Sequence, residues 1–447
     1  MNHTIVAIAT AHGVGSVGIV RLSGKDALPI ALKLSKKQTL TPRYATLTPL
    51  YTHDETLIDE ALVIYFQNPK SFTGEDVVEF QCHGGMIVAH TIVKECIDFG
   101  ARLANPGEFS KRAFLNGRLD LTQAEAIASL IEASSVDAAK ILARQMKGEL
   151  RGYIESIRDA LLEILAYSEV VIDYAEEDLP PDVVEQIFIK LEKIKLELSK
   201  TLESSKRRSG LMQGYRVAII GKPNVGKSSL LNSLLDYERA IVSEIAGTTR
   251  DTIEEQVRIG THLIRLVDTA GIRNASDEIE RIGIERSIEA IEGADIVIAL
   301  FDSSRAMDSE DEAIIDLIKQ YAAVKPFICI VNKVDLPRVF EVKHLTHYSP
   351  IELSCKGDTS VLISALSELM DVDNNATEMM LISQRQIGAT VETVHSIDES
   401  YEPLRDGELE FFSFHINQAI RHISSISRPY ELDEMFDKMF GQFCLGK

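Results

Sequence analysis

Short apolar runs alternate with polar turn residues over about the first 118 positions of the chain. Such runs, when they are rich in Val, Ile and Phe and bounded by Gly, Asn or Pro, are typical of β-strands. A longer segment, 86–99, has apolar residues at helical spacing and is followed by Gly100, a residue type that commonly ends helices. The predicted strands are 4–9, 17–22, 61–66 and 77–81. We therefore predict an α+β domain over residues 1–118.

From about residue 119 the apolar residues recur every three or four positions, and glycine becomes scarce. This spacing gives each predicted helix one apolar face, which must pack against a partner. We interpret three such stripes as the core of a helical bundle rather than as a cofactor site. They are Ile154, Ile157, Leu161 and Ile164, then Val184, Ile187, Leu191, Ile194 and Leu198, and finally Leu409, Phe412, Ile416, Ala419 and Ile423.

Between the helical regions, an apolar run at 216–220 begins a stretch in which strands alternate with helices until about residue 370. Such alternation is typical of a parallel sheet covered by helices. Basic residues and glycines at 204–214 interrupt the helical pattern and indicate a linker. The predicted organisation is an α+β domain at 1–118, a helical domain at 119–210 and 371–447, and an α/β domain inserted into it at 211–370.

A phosphate-binding pattern, G-x-x-x-x-G-K-S, occupies residues 221–228, directly after a predicted strand and at the start of an apolar helix. Glycine lets the backbone curl so that its N–H groups surround phosphate oxygens, and the helix N-terminus adds a favourable dipole. Lys227 is placed to neutralise phosphate charge and Ser228 to hold Mg²⁺ through its hydroxyl. The residues expected at the nucleotide here are Gly221, Asn224, Val225, Gly226, Lys227, Ser228 and Ser229.

Two further segments have the order expected of switch regions. The segment 268–271 ends an apolar run, so that Asp268 can reach Mg²⁺ through water and the Gly271 N–H can meet the γ-phosphate. The segment 247–251, which lies before it, carries the threonine expected to cap Mg²⁺. The candidate residues are Gly247, Thr248, Thr249, Asp268, Thr269, Ala270 and Gly271.

Guanine recognition is indicated by N-K-V-D at 332–335 and S-C-K at 354–356, each after a predicted strand. Asp335 can accept hydrogen bonds from the ring N–H and amino group of guanine, which adenine does not offer, and such a pair discriminates by about 10⁴-fold. A backbone N–H of the second segment can reach the guanine carbonyl. These motifs predict a GTPase, and an ATPase with a chance P-loop stays open if Asp335 does not face the base. The residues expected at the base are Asn332, Lys333, Asp335, Ser354, Cys355 and Lys356.

Hydrolysis requires something other than the glutamine of Ras-type enzymes, because Ile272 follows the 268–271 segment. Asn224 is a candidate carbonyl ligand for a monovalent cation that supplies the missing charge. Glu280 is a candidate for orienting the attacking water through a second water. The alternative is that Glu280, next to Arg281, lies on a solvated helix face.

Residues near the two ends of the chain indicate a small-ligand pocket. Arg21, Glu79 and a glycine-rich turn at 81–85 fall at predicted strand ends, although for each of them alone a turn glycine or a surface ion pair is the more common explanation. The last four residues, C-L-G-K at 444–447, superficially match a prenylation signal, but Gly446 is not aliphatic and a terminal lysine is unusual.

Composition and charge exclude several classes of protein. The 447 residues include 47 Lys and Arg against 68 Asp and Glu, a net charge of −21, which disfavours non-specific coating of nucleic acid. The five cysteines form no C-x-x-C pair, which argues against a disulfide scaffold or zinc knuckle and for a reducing compartment. No apolar run approaches the ~18–20 residues that span a bilayer. The N-terminus also lacks the features of a signal peptide, and we expect a cytoplasmic protein without a membrane partner.

The sequence resembles the MnmE (TrmE) family of bacterial and organellar tRNA-modification GTPases, essentially from end to end. The resemblance is carried by T-G-E-D-V at 73–77, F-L-N-G-R-L-D-L at 114–121, the P-loop with Asn224, and the terminal C-L-G-K. It implies a homodimer whose N-terminal domain binds a tetrahydrofolate derivative (5-formyl or 5,10-methylene form), a helical domain split around a Ras-like P-loop GTPase domain, and GTP hydrolysis stimulated by K⁺. It also implies a hetero-oligomer with the FAD-dependent protein MnmG, with which the family installs an aminomethyl-type group at C5 of the wobble uridine of certain tRNAs.

The resemblance also implies roles for single residues. The folate-contacting positions match Arg21, Glu79, Arg118 and Lys447, with Arg118 standing where lysine is common. The K⁺-binding positions match Asn224, Ser243, Ile245 and Thr248, and Glu244, Ala246 and Gly247 complete the same segment. The Mg²⁺ ligands match Ser228 and Thr249. The catalytic candidates are Glu280, Lys227 and the tail cysteine, Cys444.

The remaining alternative is a regulatory GTPase that binds RNA or the ribosome and performs no modification chemistry. It shares the nucleotide motifs but leaves Arg21, Glu79 and the C-L-G-K tail unexplained, and a folate-binding assay separates the two hypotheses. If the chain modifies tRNA, its net charge of −21 indicates that the partner protein supplies most of the basic surface that holds the tRNA.

Overall fold

The chain folds into two compact units, and the chain of unit 1 is interrupted by that of unit 2. A computed structural model describes residues 3–11, 13–133, 135–173, 183–236, 255–260, 262–267, 282–371 and 379–428. Unit 1 comprises Met1–Ala128, Arg144–Leu196 and Ser383–Lys447, and unit 2 comprises Ser129–Ala143 and Glu197–Ile382. Among the described helices, none combines the length and the apolar character needed to cross a membrane.

Unit 1 begins with a sheet of six described strands in the order β3-β4-β5-β2-β1-β6. The strands are β1 (Ile5–Ile8), β2 (Val17–Ser23), β3 (Thr46–Tyr51), β4 (Leu57–Phe66), β5 (Val77–His83) and β6 (Arg102–Leu103). Neighbouring strands are antiparallel except for β1 and β6, which are parallel. The four predicted strands are confirmed as β1, β2, β4 and β5. The prediction misses β3 because Pro49 interrupts its pattern, and proline fits there because β3 lies at an edge of the sheet.

Helices cover one face of this sheet and leave much of the other face open. They are α1 (Ala27–Ser35), α2 (Met86–Asp98) and α3 (Glu108–Leu115). The apolar residues that alternate along β2 and β5, among them Leu22 and Phe80, are fully buried in one core with residues of α1 and α2. On the opposite face, Phe109 of α3 meets Ile5 and Ala7, and Arg112 of the same helix donates to the carbonyl of Ser23 at the end of β2. The polar side chains that β2 and β5 present on that face are therefore available to form a site.

The helical part of unit 1 confirms the predicted stripes as packed core. The helices that carry residues of this part are α4 (Leu121–Ile131), α5 (Val136–Met146), α6 (Glu149–Asp173), α7 (Val183–Arg207), α13 (Gln384–Asp406) and α14 (Leu409–Ser425). In α6 the four stripe residues from Ile154 to Ile164 are buried, as are Phe412, Ile416 and Ile423 in α14. The stripe of α7 is buried from Ile187 onward, and α14 packs against both α6 and α13.

A largely buried ion pair joins three of these helices. The carboxylate of Glu125 on α4 accepts two hydrogen bonds of 2.8 Å from Arg385 in the first turn of α13 and one of 2.6 Å from Gln386. The same guanidinium donates to the carbonyls of Ser425 and Ile426, at the end of α14, over 2.7 and 2.9 Å. Arg385 thereby fixes the start of α13 to α4 and to the end of α14. We call these groups the Arg385 clamp.

Unit 2 contains a second sheet of six described strands, in the order β12-β11-β10-β7-β9-β8. The strands are β7 (Tyr215–Ile220), β8 (Glu255–Ile259), β9 (His262–Val267), β10 (Ile296–Asp302), β11 (Phe327–Asn332) and β12 (Ile351–Glu352). The helices are α8 (Ser209–Gln213), α9 (Lys227–Asp236), α10 (Ile282–Gly293), α11 (Ser309–Tyr321) and α12 (Ser360–Asp371). Every neighbouring pair is parallel except β8 and β9, so the predicted parallel sheet is confirmed with one antiparallel edge strand. The carboxyl ends of β7, β10, β11 and β12 therefore meet at one edge of the sheet.

Candidate nucleotide-binding site

The loop between β7 and α9 has the backbone shape of a phosphate cradle. Gly221, Asn224 and Gly226 all have positive φ, at +154°, +65° and +109°, and asparagine tolerates this region better than other side chains do. Such alternation turns successive N–H groups toward the inside of the loop. The loop leads directly into the first turn of α9, whose dipole favours an anion at the same place.

Lys227 is held over this cradle by the loop itself. Its Nζ donates to the carbonyls of Gly221 and Lys222 over 2.6 and 2.9 Å. Burial lowers the pKa of Lys227, and a nearby negative charge on Glu310 partly offsets the effect. Among the described residues, this ammonium donates to two carbonyl oxygens. A phosphate bound at the cradle would give it a negatively charged partner.

Asn332, at the end of β11, links the phosphate loop to the segment after β12. Its Nδ2 donates to the carbonyl of Val225 over 2.7 Å, and its Oδ1 accepts from the backbone N–H of Cys355 over 2.9 Å. The side chain is buried, and a Cβ added to Gly226 would overlap Nδ2. Asn332 thus braces the two loops, a role that the sequence motif, taken as a reader of the base, does not suggest.

The side chain of Lys333 makes a second connection to the phosphate loop. Its Nζ donates to the carbonyl of Asn224 over 2.7 Å and pairs with Asp302, at the end of β10, over 2.6 Å. Burial opposes the charge on Asp302, but this pair and hydrogen bonds from Ser304 hold the pKa of the carboxyl below its usual range. Sequence reasoning missed Asp302, although its position at the end of an apolar strand was a usable signal.

Asp335 and Ser354 lie together beside this brace. Asp335 is exposed, and its hydrogen bond with the Ser354 side chain and the nearby charges of Lys356 and Lys333 lower its pKa. It therefore presents an ionised carboxylate, the group needed to accept two N–H donors from guanine. Cys355 is buried, and burial raises the pKa of its thiol to about 11. The thiol is therefore neutral at physiological pH, and the contact of Cys355 with Asn332 is made by its backbone N–H.

A second candidate site lies on the open face of the unit 1 sheet. Arg21 on β2 and Glu79 on β5 are directly opposite in register and pair at 2.8 Å. The guanidinium lies 5.5 Å from the ring centre of Phe72 and 5.8 Å from that of Phe109. Arg118 is exposed and donates to the carbonyl of Ser71 over 3.1 Å, on the loop that carries Phe72. The structure thus brings Arg21 and Glu79 into contact and connects Arg118 to the same loop.

Comparison with known families and proteins identifies the family. The model described as "GTP-binding protein TrmE N-terminus" matches residues 4–118, and the "MnmE helical domain" model matches residues 121–444. A protein of Sulfurimonas denitrificans named tRNA modification GTPase MnmE is 64% identical over 444 residues, covering 99% of both chains. The chain belongs to the MnmE family. Proteins of the same name from Aliarcobacter butzleri and Sulfurovum sp. are 60% and 58% identical over 100% of this chain and 99% of their own.

Membership of the MnmE family confirms the resemblance and the fold class predicted from the sequence. The N-terminal α+β domain is the part that the TrmE model matches, and the match of the helical-domain model, over residues 121–444, includes the strands of the second sheet. Several of the predicted MnmE site residues lie outside the described residues. These are Ser243, Glu244, Ile245, Ala246, Gly247, Thr248, Thr249, Asp268, Thr269, Ala270, Gly271, Glu280, Cys444 and Lys447.

Proposed function

We propose that the protein binds and hydrolyses GTP in the course of tRNA modification. The observation that carries the proposal is the Asn332 brace, which holds the phosphate loop and the Asp335–Ser354 pair at one edge of the sheet. A nucleoside triphosphate can then place its phosphates on the loop and a guanine on Asp335. The printed names of the relatives, tRNA modification GTPases, support the same activity.

The described residues account for binding and for part of the charge stabilisation. The loop N–H groups and the start of α9 bind the phosphates, and Lys227 exchanges its carbonyl partners for phosphate oxygens. Ser228, exposed in the first turn of α9, is placed to hold Mg²⁺, which neutralises phosphate charge when bound. Asp335 sets the base preference, because losing its two acceptor contacts leaves a polar pair unmatched.

A monovalent cation fits the crest of the phosphate loop. Asn224 is exposed there, its backbone is fixed at φ +65°, and its carbonyl is held by Lys333. The amide oxygen of its side chain is a neutral ligand of the kind that K⁺ accepts. We propose that K⁺ at this position adds positive charge between the β- and γ-phosphates, where other GTPases place an arginine.

GTP hydrolysis in K⁺ is expected to be at least ten times faster than in Na⁺, because the neutral amide oxygen of Asn224 suits the larger, more weakly hydrated ion. The measurement is phosphate release from GTP at constant ionic strength, with ATP as a parallel substrate to test base preference. Asn224→Ala is the matched variant, and it should turn over slowly and equally in both salts. Equal wild-type rates in the two salts would contradict the K⁺ assignment, and equal use of ATP would contradict the role of Asp335.

We also propose that GTP turnover serves modification at C5 of the wobble uridine, with an FAD-dependent partner of the MnmG type. The Arg21–Glu79 pair fits the polar ring edge of a tetrahydrofolate derivative, which would supply a one-carbon unit when bound. Glu79 accepts N–H groups and Arg21 donates, while the rings of Phe72 and Phe109 border the pair. The open sheet face that carries the pair also suits the proposed homodimer, because a second copy would shelter it.

Arg21→Met should abolish wobble-uridine modification while GTP hydrolysis stays within about twofold of the wild type. Methionine keeps the apolar stem against Phe72 and Phe109 but removes the charge. The measurement is mass spectrometry of wobble uridines in tRNA from cells in which the variant replaces the wild-type protein. Arg43→Met is the control, because Arg43 also lies over a ring, that of Phe66 at 5.9 Å, but away from the pair. Normal modification with Arg21→Met would refute the pocket.

A further inference from the structure

Lys222, the second residue of the phosphate loop, is a lysine buried where an exposed one would be expected. Only 8% of the residue is exposed, although it belongs to a surface loop between β7 and α9. Its backbone and side chain point in different directions. The carbonyl accepts from Lys227, whereas the ammonium reaches the start of α11. Lys222 therefore connects the phosphate cradle to an element outside it.

Two carboxylates at the start of α11 receive this ammonium. Nζ lies 2.7 Å from Oδ2 of Asp308 and 2.5 Å from Oδ2 of Asp311. Asp308 is also the N-cap of α11, since its Oδ1 accepts from the N–H groups of Glu310 and Asp311 over 3.2 Å. Asp311 is 1% exposed, so its charge depends on this lysine. The ammonium is thus fixed by groups that a capped helix holds rigidly.

Two residues of the phosphate loop, Lys222 and Asn224, are therefore linked to the two ends of the segment that connects β10 with α11. Lys222 is tied to Asp308, just before α11, and Lys333 ties the carbonyl of Asn224 to Asp302, at the end of β10. The segment from Asp302 to Asp308 therefore holds the phosphate loop at these two residues. Each of these contacts restricts rotation of the peptide planes of the loop, and so helps to keep the N–H groups of the cradle in their direction.

We propose that Lys222 is a positioning residue for the nucleotide: by pairing with Asp308 and Asp311 it keeps the phosphate loop in its binding shape before the nucleotide arrives. This inference rests on the proposed binding of GTP. Lys222 does not touch the phosphates in this arrangement, because its ammonium is turned toward α11. It acts through the loop backbone, which both GDP and GTP contact. Its loss should therefore weaken the binding of both nucleotides alike and leave the chemical step nearly unchanged.

The test compares Lys222→Met with Lys222→Arg. Methionine keeps the length of the side chain and removes the charge, and we expect the Kd of a fluorescent GDP analogue and the KM for GTP to rise about tenfold. The kcat at saturating GTP should stay within threefold. Arginine can still reach two carboxylates, so Lys222→Arg should keep the Kd within threefold of the wild type.

Lys325→Met is the matched control for a merely structural lysine. Lys325 donates to the carbonyls of Ile291, Glu292 and Ala294, each over 2.6 Å, at the end of α10. Its loss should lower the thermal midpoint without changing the Kd. A folded Lys222→Met protein with the wild-type Kd, or one that changes kcat and not KM, would overturn the proposal.

Asp308→Asn keeps the test decisive if Lys222→Met does not fold. Asparagine is as good an N-cap as aspartate, and the Asp308 side chain is 53% exposed. This variant therefore removes one charge from the partners of Lys222 and leaves the helix cap and the packing nearly unchanged. A rise of about threefold in the Kd supports the proposal, and an unchanged Kd overturns it. A wild-type protein that binds no guanine nucleotide would refute the proposed function itself, which the wild-type titration reveals separately.

Discussion

Gly226→Ala should lose guanine nucleotide binding, with the Kd raised at least a hundredfold. The residue has a φ of +109°, where an alanine is strained by about 1–3 kcal/mol. Its new Cβ would also overlap Nδ2 of Asn332. If Asn332 moves aside, the Val225 carbonyl and the Cys355 N–H lose their partners, at a cost of about 1–3 kcal/mol for each buried group. Both effects fall on the loop that holds the phosphates.

The measurement is a titration of a fluorescent GDP analogue, with thermal denaturation to show that the variant is folded. Gly293→Ala is the matched control, because an added Cβ at the end of α10 has no neighbour within 4 Å. Its affinity should equal that of the wild type, and its stability should change by about 0.5 kcal/mol or less. A Gly226→Ala protein with wild-type affinity would show that the Asn332 brace is not needed for binding.

Arg385→Ala should lower the local stability of unit 1 by about 3–5 kcal/mol. The change leaves the carboxylate of Glu125, which is 8% exposed, without its cation, and it frees the carbonyls of Ser425 and Ile426. Hydrogen exchange followed by mass spectrometry measures the effect. Peptides from α4 and from the start of α13 should exchange at least a hundredfold faster.

Arg158→Ala is the control for this prediction. Arg158 pairs with Asp159 at 3.3 Å, but the two side chains are 45% and 71% exposed. Exposed pairs contribute about 0–1 kcal/mol, so exchange in α4 and α13 should be unaffected. Equal effects of Arg385→Ala and Arg158→Ala on hydrogen exchange would show that the Arg385 clamp contributes no more to stability than an exposed ion pair.

The sequence predicts helices and strands well where the spacing of apolar residues agrees with the glycine, proline and asparagine residues that end such elements. The helix ending before Gly100 and the strands around Val20 and Phe80 follow from apolar spacing alone, because burial on one face imposes that spacing. The strand that contains Pro49 was missed because only its place at the sheet edge makes proline acceptable, and place in a sheet is not a local property. The phosphate loop was found because its backbone shape requires glycines at fixed positions.

Long-range polar partners are what the sequence could not supply. Three ion pairs join residues that are tens to hundreds of positions apart: Lys222 with Asp311, Lys333 with Asp302, and Arg385 with Glu125. In its local sequence, each of these residues looks like an ordinary surface charge. The N-K-V-D motif draws attention to Asn332, but the contact of Asn332 with Val225 depends on β7 and β11, which flank β10, ending at the same edge of the sheet. The arrangement of charges in the site is therefore a property of the fold, whereas the kinds of residue in it are readable beforehand.

The edges of the unit 1 sheet bear on how this domain can associate with other chains. The outer strand at one edge, β3, contains Pro49, which has no N–H to donate, and the described strand at the other edge, β6, has only two residues. An incoming strand would find few free backbone groups on either side, so the domain resists the edge-to-edge growth that leads β-proteins to aggregate. The proposed second copy would therefore have to meet the open face of the sheet, through side chains rather than backbone.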